Sequence, residues 1–388
     1  MKPVIDLSKE YGLALEGGGA KGAYQIGVWK ALKEAGVRIK GVAGTSVGAL
    51  NGAFICMDDL PTAEHVWENI TYSQIMDVDE EQMRRLLQNE MTSKEFFSAV
   101  FKKVGEGGLD VNPLREMIHT YVREEEIRKS PIELYISTFN MDRMKELDLD
   151  LKEVEEGKMQ DYLLASAYIF PLFKNEKIDG MRFVDGGVVN KIPINVLLEH
   201  GYENIIAVRI FGIGREKPVK IPEETTLIEI AAKVDLGNIL DFDAARSKRN
   251  MKIGYYDAKR VIYGLSGKIY YIEENHEECY YLKQLMQISE SVLLEIQDGS
   301  HLSDKGGSPL RKLTERILPA MAAELKLDKD WSYKELYLSM LEATAKICKV
   351  PKYCIYTVEE LKEEICKKLE HMGKNPTELP AFVRFFQE

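Results

Sequence analysis

The sequence predicts an α/β fold, with a mostly parallel central sheet flanked by helices and a helical C-terminal unit. Three observations carry this. The first 57 residues twice run from a short apolar strand through a glycine-rich turn into an apolar helix. Further short apolar strands recur up to about residue 210, with helices between them. Parallel neighbours need crossover connections, and helices supply these in right-handed units. Beyond about Ser266 the character of the chain turns helical.

Residues 11–15 read as the first strand. A glycine loop then opens a helix ending near Ala35, whose Ile26, Val28, Trp29 and Leu32 face a sheet. Gly36 suits the position just past a helix end. Residues 37–43 form a second strand, and after the turn at 44–46 a second helix ends near Met57. Residues 58–130 read as short helices with charged faces, broken by a loop at 105–108. Strands follow at 132–138 and 144–149. An apolar helix over 159–169 is stopped by Pro171. A strand at 181–184 leads into Asp185-Gly186-Gly187, a helix at 193–200 ends at Gly201, and 204–210 is a buried strand. Residues 211–226, rich in Gly, Pro and charge, connect to a helix from about Leu227 to Lys259, broken at Gly237. In the tail, Ser332 with Glu335 and Thr357 with Glu360 have the capping-box spacing. Val358, Leu361, Ile365 and Leu369 share one helix face. The chain thus divides into residues 1–265 and a helical region 266–388 without a catalytic signature.

Composition narrows the function. A chain of 388 residues is long enough for two or three domains. A net charge of −11 makes it a poor general binder of nucleic acid. The five cysteines, Cys56, Cys279, Cys348, Cys354 and Cys366, are odd in number and include no CxxC pair. Reduced thiols in a cytoplasmic protein fit better than a disulfide framework or a structural zinc site. Residues 1–10 carry charges and Pro3 where a signal peptide needs an apolar run. Residues 41–57 are uncharged but shorter than the ~20 residues of a spanning helix, and Gly, Thr, Ser and Asn interrupt them.

Three motifs carry chemistry. Gly17-Gly18-Gly19-Ala20-Lys21-Gly22 lies between a strand and a helix, where backbone N–H groups and a helix N-terminus make an anion-binding nest. The anion could be a permanent phosphate or a transient oxyanion. Gly17, Gly19 and Gly22 satisfy G-x-G-x-x-G, but no carboxylate follows the second strand as a dinucleotide site requires. Ala23 stands where a phosphate-loop lysine would. The second motif, Gly44-Thr45-Ser46-Val47-Gly48, is the G-x-S-x-G elbow in its strand–turn–helix setting, which lifts Ser46 Oγ to the sheet edge. The bland alternative is a turn with a serine cap. The third, Asp185-Gly186-Gly187, follows a strand. Alone it is a turn signal, but its carboxylate could serve Ser46 as a base.

These motifs, in this order, resemble the patatin-like phospholipase family. Ser166-Ala-Tyr-Ile-Phe-Pro171 and Asn190-Lys-Ile-Pro193 are similar to the segments flanking that family's aspartate. Arg246-Ser-Lys-Arg-Asn-Met-Lys-Ile-Gly-Tyr-Tyr-Asp257 is similar to a late helix of bacterial members. The resemblance covers about residues 8–262. It implies a three-layer α/β/α domain hydrolysing acyl esters of lipids through a Ser–Asp dyad, with no cofactor and no metal. Ser46 would be the nucleophile, Asp185 the general base, and the amides from Gly17 to Gly22 the oxyanion hole. Lys21 stands where many members carry arginine and has fewer donors to brace the loop. An ordinary Asp, with pKa near 3.9, is a weak base, and desolvation would improve it.

Alternatives stay open. An acyltransferase or thioesterase could use the same site, and a non-catalytic member could keep the fold and bind lipid. A nucleotide binder would use only the first loop. A Ser–Asp–His order would draw on His200, His276, His301 or His371, none of which has a motif around it. Phe54, Ile169, Phe170, Leu172 and Phe173 are candidates for an acyl groove, and residues 58–110 for a lid. Residues 241–260 hold six basic and three acidic side chains, as a solvated helix face or a headgroup patch. The expected partner is a phospholipid or other acyl-ester lipid met by peripheral membrane contact, with no nucleic acid.

Overall fold

β1 (Glu10–Leu15) is buried along all but its first residue, as a central parallel strand must be. The computed structural model describes residues 1–81, 83, 108–169, 172–173, 177–289, 292–293, 308–371 and 379–386. They form two units, Lys2–Tyr263 and Met1 with Gly264–Glu388. After β1 the first unit runs through a 3-10 turn (Gly19–Gly22), α1 (Ala23–Glu34), β2 (Arg38–Thr45), α2 (Val47–Cys56) and α3 (Leu60–Glu68). α4 (Asn112–Tyr121), α5 (Glu124–Lys129), β3 (Glu133–Asn140), β4 (Lys145–Asp150) and α6 (Met159–Ser166) follow. β5 (Lys177–Ile178), β6 (Met181–Asp185), α7 (Ile194–Glu199), β7 (Asn204–Arg209), β8 (Thr226–Ala231) and α8 (Ala244–Tyr263) complete it.

β8, β7, β1, β2 and β3 lie side by side and parallel. β4 pairs antiparallel along one side of β3. The register sorts side chains to two faces. Ala207, Ala14, Ala43 and Tyr135 form one row across the sheet and pack with Val196 and Leu197 of α7. Leu13, Val42, Leu134 and Ile206 form the next row, on the opposite face. Gly52 of α2 sits over Val42 and Leu134 there. The sheet is thus covered on both faces. The uncharged stretch 41–57 divides between β2 and α2, and no helix among the described residues is long and apolar enough to cross a membrane.

α1 and α8 pack at backbone distance. A Cβ on Gly27 would stand 1.9 Å from Met251 O, and one on Gly254 would stand 2.0 Å from Tyr24 O. Tyr24 Oη donating to Asp257 at 3.1 Å and Tyr255 Oη donating to Glu34 at 2.6 Å cross the contact, and Arg260 of α8 pairs with Asp257 at 3.1 Å.

Two expectations need correction. The helix expected from Leu227 begins as a strand, because residues 226–231 find an open edge at β7 and pair with it along their whole length. Leu, Glu and Ala favour a helix there, but alternating Thr226, Ile228 and Ile230 suit the ladder, and tertiary pairing overrides the propensity. α8 starts only at Ala244, and Gly237, at φ 95°, lies in the connection before it. The apolar helix over 159–169 ends at Ser166. Residues 84–107, including most of the loop at 105–108, and Pro171 lie outside the described residues.

The second unit is not purely helical. β9 (Tyr271–Glu273) precedes α9 (Glu278–Met286), α10 (Pro309–Lys312), α11 (Leu318–Glu324) and α12 (Tyr333–Ile347). β10 (Ile355–Thr357) then pairs parallel with β9 and leads into α13 (Val358–His371). Buried Glu342 accepts the N–H groups of Ile269 and Tyr270 at 2.7 Å and of Lys268 at 2.9 Å. The Ser332 and Thr357 caps form as their spacing predicts.

Gly254→Ala should lower stability by about 2 kcal/mol, because the methyl meets a carbonyl that cannot move without separating two helices. A fall in the urea midpoint checks this, and a midpoint equal to wild type would contradict the contact.

Candidate active site

β3 aligns the two ends that carry the chemistry. β2 pairs with it up to Thr45 opposite Ser137. β6 pairs with it from Asp185 opposite Thr138, running the other way. β4 occupies the far side of β3 at both positions. β2 and β6 therefore lie end to end along the same side, so the chain after Thr45 meets the chain at Asp185. Gly186 closes the junction, its Cα so near Ser137 O that a Cβ would stand 2.3 Å from it.

Ser46 caps α2 at φ 57° and ψ −125°, the left-handed side that costs a non-glycine residue of order 1–3 kcal/mol. The surroundings hold it there. Its N–H donates to Ser166 Oγ at 2.9 Å, and Ser166 Oγ donates to Ser137 O at 2.7 Å. Its carbonyl accepts from Ala49 and Leu50. Gly48 presses on β1, where a Cβ would stand 2.4 Å from Leu15 O. The serine is 5% exposed and forms part of a pocket wall.

The Asp185 N–H donates to Tyr168 O at 2.9 Å, and Asp185 Oδ1 accepts from Gly187 N–H at 2.8 Å. Burial pushes its carboxyl up to about 6, against the lowering effect of hydrogen bonds from the Ser46 hydroxyl and the Gly187 amide. A carboxyl raised that far is a competent proton acceptor near neutral pH. Thr45 Oγ1 donates to Asn190 O at 3.0 Å, tying the elbow to the segment after the aspartate.

The glycine loop runs beside the elbow. Gly17 N–H donates to Lys191 O at 2.8 Å, Ala20 N–H to Ile239 O at 2.8 Å, and Lys21 N–H to Gly18 O at 3.3 Å. Gly22 closes the 3-10 turn and precedes α1. The N–H groups of Gly18 and Gly19 have no acceptor among the described residues. Of the six loop residues singled out in the sequence, these two offer donors.

Below the loop, fully buried Glu16 is its anchor. Its Oε2 accepts from the N–H groups of Ile210 at 2.6 Å and Phe211 at 2.9 Å, and Lys191 Nζ lies 2.9 Å from Oε1. Lys21 Nζ donates to Phe211 O at 2.8 Å, and burial pushes its ammonium down from the usual range. A buried amide chain extends this frame. Gln25 donates to Glu16 O at 2.7 Å, Asn51 to Gln25 at 2.8 Å and Trp67 Nε1 to Asn51 at 3.0 Å.

An apolar pocket opens from Ser46 and Gly19. Phe54, Ile169 and Phe173 line it, as the sequence suggested, with Trp67, Met76 and Leu240 among others. Leu172 is buried outside this lining, and Phe170 lies outside the described residues. No histidine among the described residues lines the pocket. His200 Nδ1 lies 2.8 Å from Val196 O, His276 pairs with Glu359, and His371 meets Lys367 O at 2.6 Å. His301 lies outside the described residues.

Sequence reasoning gave no role to Glu16, Lys191 or Ser166. The signal for Glu16 was present, since a carboxylate between a buried strand and three glycines must find a cation or N–H donors. Nothing in the sequence pointed to Ile239 O.

Residues 13–198 match the family model described as patatin-like phospholipase. Lysophospholipase nte1 of Aspergillus terreus is 25% identical over 225 residues, 54% of this chain and 12% of that protein. The human patatin-like phospholipase domain-containing protein 6 is 27% identical over 213 residues, 51% of this chain and 13% of that protein. The chain thus matches about one eighth of the length of these relatives. VipD from Legionella pneumophila, a solved structure, aligns with a TM-score of 0.42 at 14% identity over 95% of this chain and 93% of that one.

Two outcomes follow from the geometry. The unfolded chain releases the Asp185 proton near 3.9 and the folded one near 6, so this group costs stability as pH rises through that window. Asp185→Asn should flatten that part of the stability–pH curve, and an unchanged slope would show an unshifted carboxyl. Lys191→Met leaves the Glu16 charge buried without its cation and should cost about 3 kcal/mol, while adding Glu16→Gln restores part of it. Urea midpoints of the single and double variants check the order.

Proposed function

From the patatin-like phospholipase domain at residues 13–198, we infer that the chain is a serine lipid acyl hydrolase working through Ser46 and Asp185. One observation carries the reading. A serine in a strained elbow lines an apolar pocket beside two amides without acceptors among the described residues, and the sheet sets a carboxyl raised to about 6 at the end of its strand. The names of the relatives, a lysophospholipase among them, point to the same chemistry.

In this reading the acyl chain enters the apolar pocket and the ester carbonyl comes to rest over Ser46. Ser46 Oγ attacks the carbonyl carbon as its proton passes to the Asp185 carboxylate. The carbonyl oxygen becomes an oxyanion held by the Gly18 and Gly19 N–H groups. The carbon–oxygen bond to the alcohol breaks, and the alcohol leaves with the proton from Asp185. Water then attacks the acyl-serine, gives its proton to Asp185, and the acid departs as Ser46 recovers its hydrogen. Without a histidine the base stays a carboxylic group throughout, so its raised proton affinity and the two amides carry the work. Transfer to an alcohol other than water would use the same steps up to the acyl-enzyme. The favoured substrates are phospholipids or lysophospholipids, whose acyl chains match the pocket lining.

Hydrolysis of soluble p-nitrophenyl esters, phospholipids and lysophospholipids by the purified chain tests this. Ser46→Ala should lose roughly ten-thousandfold or more in kcat, with the fold intact by circular dichroism. Gly19→Ala should lose on the order of a hundredfold or more, because its Cβ would stand 2.1 Å from Ile239 O and displace a donor. The kcat–pH profile should rise through about 6. Full activity in Ser46→Ala would remove the nucleophile, and a wild type inert on every ester would favour a lipid-binding role.

A further inference from the structure

Next to the glycine loop the protein holds large apolar side chains in water. Val188, Phe211 and Ile213 are 41%, 54% and 61% exposed. Phe211 is fixed by both backbone groups. Its N–H is taken by Glu16 and its carbonyl by Lys21, and its φ is 51°, which few aromatic residues adopt. The segments carrying the three residues are zipped together. Arg215 N–H donates to Gly187 O at 2.9 Å and Lys191 N–H to Arg215 O at 2.7 Å. Gly212 lies so close to Gly17 that a Cβ would stand 1.8 Å from Gly17 O. The patch therefore borders the loop that carries the Gly18 and Gly19 amides.

Its base is a cluster of both signs, Glu16 paired with Lys191, and its edge carries a cation. Lys21 and Lys191 lie at its base, and Arg215 is exposed at its edge. The neighbours of Arg215 are occupied, Glu216 with Arg209 at 2.9 Å and Lys217 with Glu146 at 3.1 Å. Arg215 makes no ion pair among the described residues. On a chain of net charge −11, an exposed arginine beside apolar side chains suits this face to an anionic surface.

We infer that Val188, Phe211 and Ile213, with Arg215 beside them, form the surface by which this chain docks on a lipid–water interface bearing anionic phosphate headgroups. The aromatic ring and the aliphatic side chains enter the headgroup boundary, and the guanidinium takes a phosphate. Docking there brings the glycine loop to the bilayer, so a lipid reaches Ser46 without crossing open water. The choice of a lipid occupant rests on the acyl-hydrolase reading.

Sedimentation with vesicles of diether lipids tests the surface apart from the chemistry, because these lipids hold no ester for Ser46 to attack. The wild type should partition onto vesicles of diether phosphatidylglycerol and diether phosphatidylcholine in equal parts. Ile213→Ser should weaken this by about tenfold. Arg215→Gln should weaken it by roughly fivefold, and leave partitioning onto phosphatidylcholine alone unchanged. Both variants should keep the wild-type circular-dichroism melt, since both side chains are exposed. Equal partitioning of wild type and both variants, or none by the wild type, overturns the proposal. So does a dimer in analytical ultracentrifugation that Ile213→Ser abolishes, which would assign the patch to a second copy. Vesicle binding that depends on Ile213, in a chain inert on every ester, would retain the docking surface and remove the hydrolase.

Discussion

A single buried carboxylate organises this site. Glu16 receives two backbone amides from the end of β7, a lysine from the segment after Asp185, and through its carbonyl the amide of Gln25. An isolated charge in that position would cost several kcal/mol, which the two amides and the lysine offset. These contacts set the distance between the glycine loop and the aspartate segment. Pairing of β1 with β7 brings the two regions, almost two hundred residues apart, side by side, and the carboxylate ties the chain just beyond their ends.

The sheet brings the chain after Thr45 and the chain at Asp185 to one place. β3 serves as a ruler whose two adjacent residues, Ser137 and Thr138, register the ends of β2 and β6. A carboxyl at the surface would be a poor partner for a hydroxyl. Here burial lifts its proton affinity, while the bonds from Ser46 and Gly187 limit the rise. Too little burial would leave a weak base, and too much would leave a carboxyl protonated and idle. A value of about 6 lies between.

The sequence made the elbow, the glycine loop and the first four elements legible because each rests on local requirements. Gly44 and Gly48 mark a sharp turn, and strand–helix alternation follows from apolar period and length. The strand at Thr226 was not legible, since its identity depends on an open edge at β7 rather than on its own residues. Which loop amides remain without acceptors was equally hidden. Ile239 and Lys191, distant in sequence, supply the carbonyls that take the Ala20 and Gly17 amides. The antiparallel pairing of β6 with β3, which sets Asp185 opposite Thr138, has no local signature either.

The hydrogen bond from Ala20 to Ile239 links two walls that a list of site residues would keep apart. Leu240 and Phe242, just beyond that carbonyl, line the apolar pocket, and Asp241 between them is held by Tyr72 at 2.6 Å. A guest that spreads those side chains pulls on the strut leading to Ala20 and, through it, on the neighbouring Gly19. The pocket floor and the glycine loop are thus joined through one hydrogen bond, beside the Asp241 anchor. Discrimination among guests would be exerted on the geometry of the reacting carbonyl and not only on the tightness of their grip.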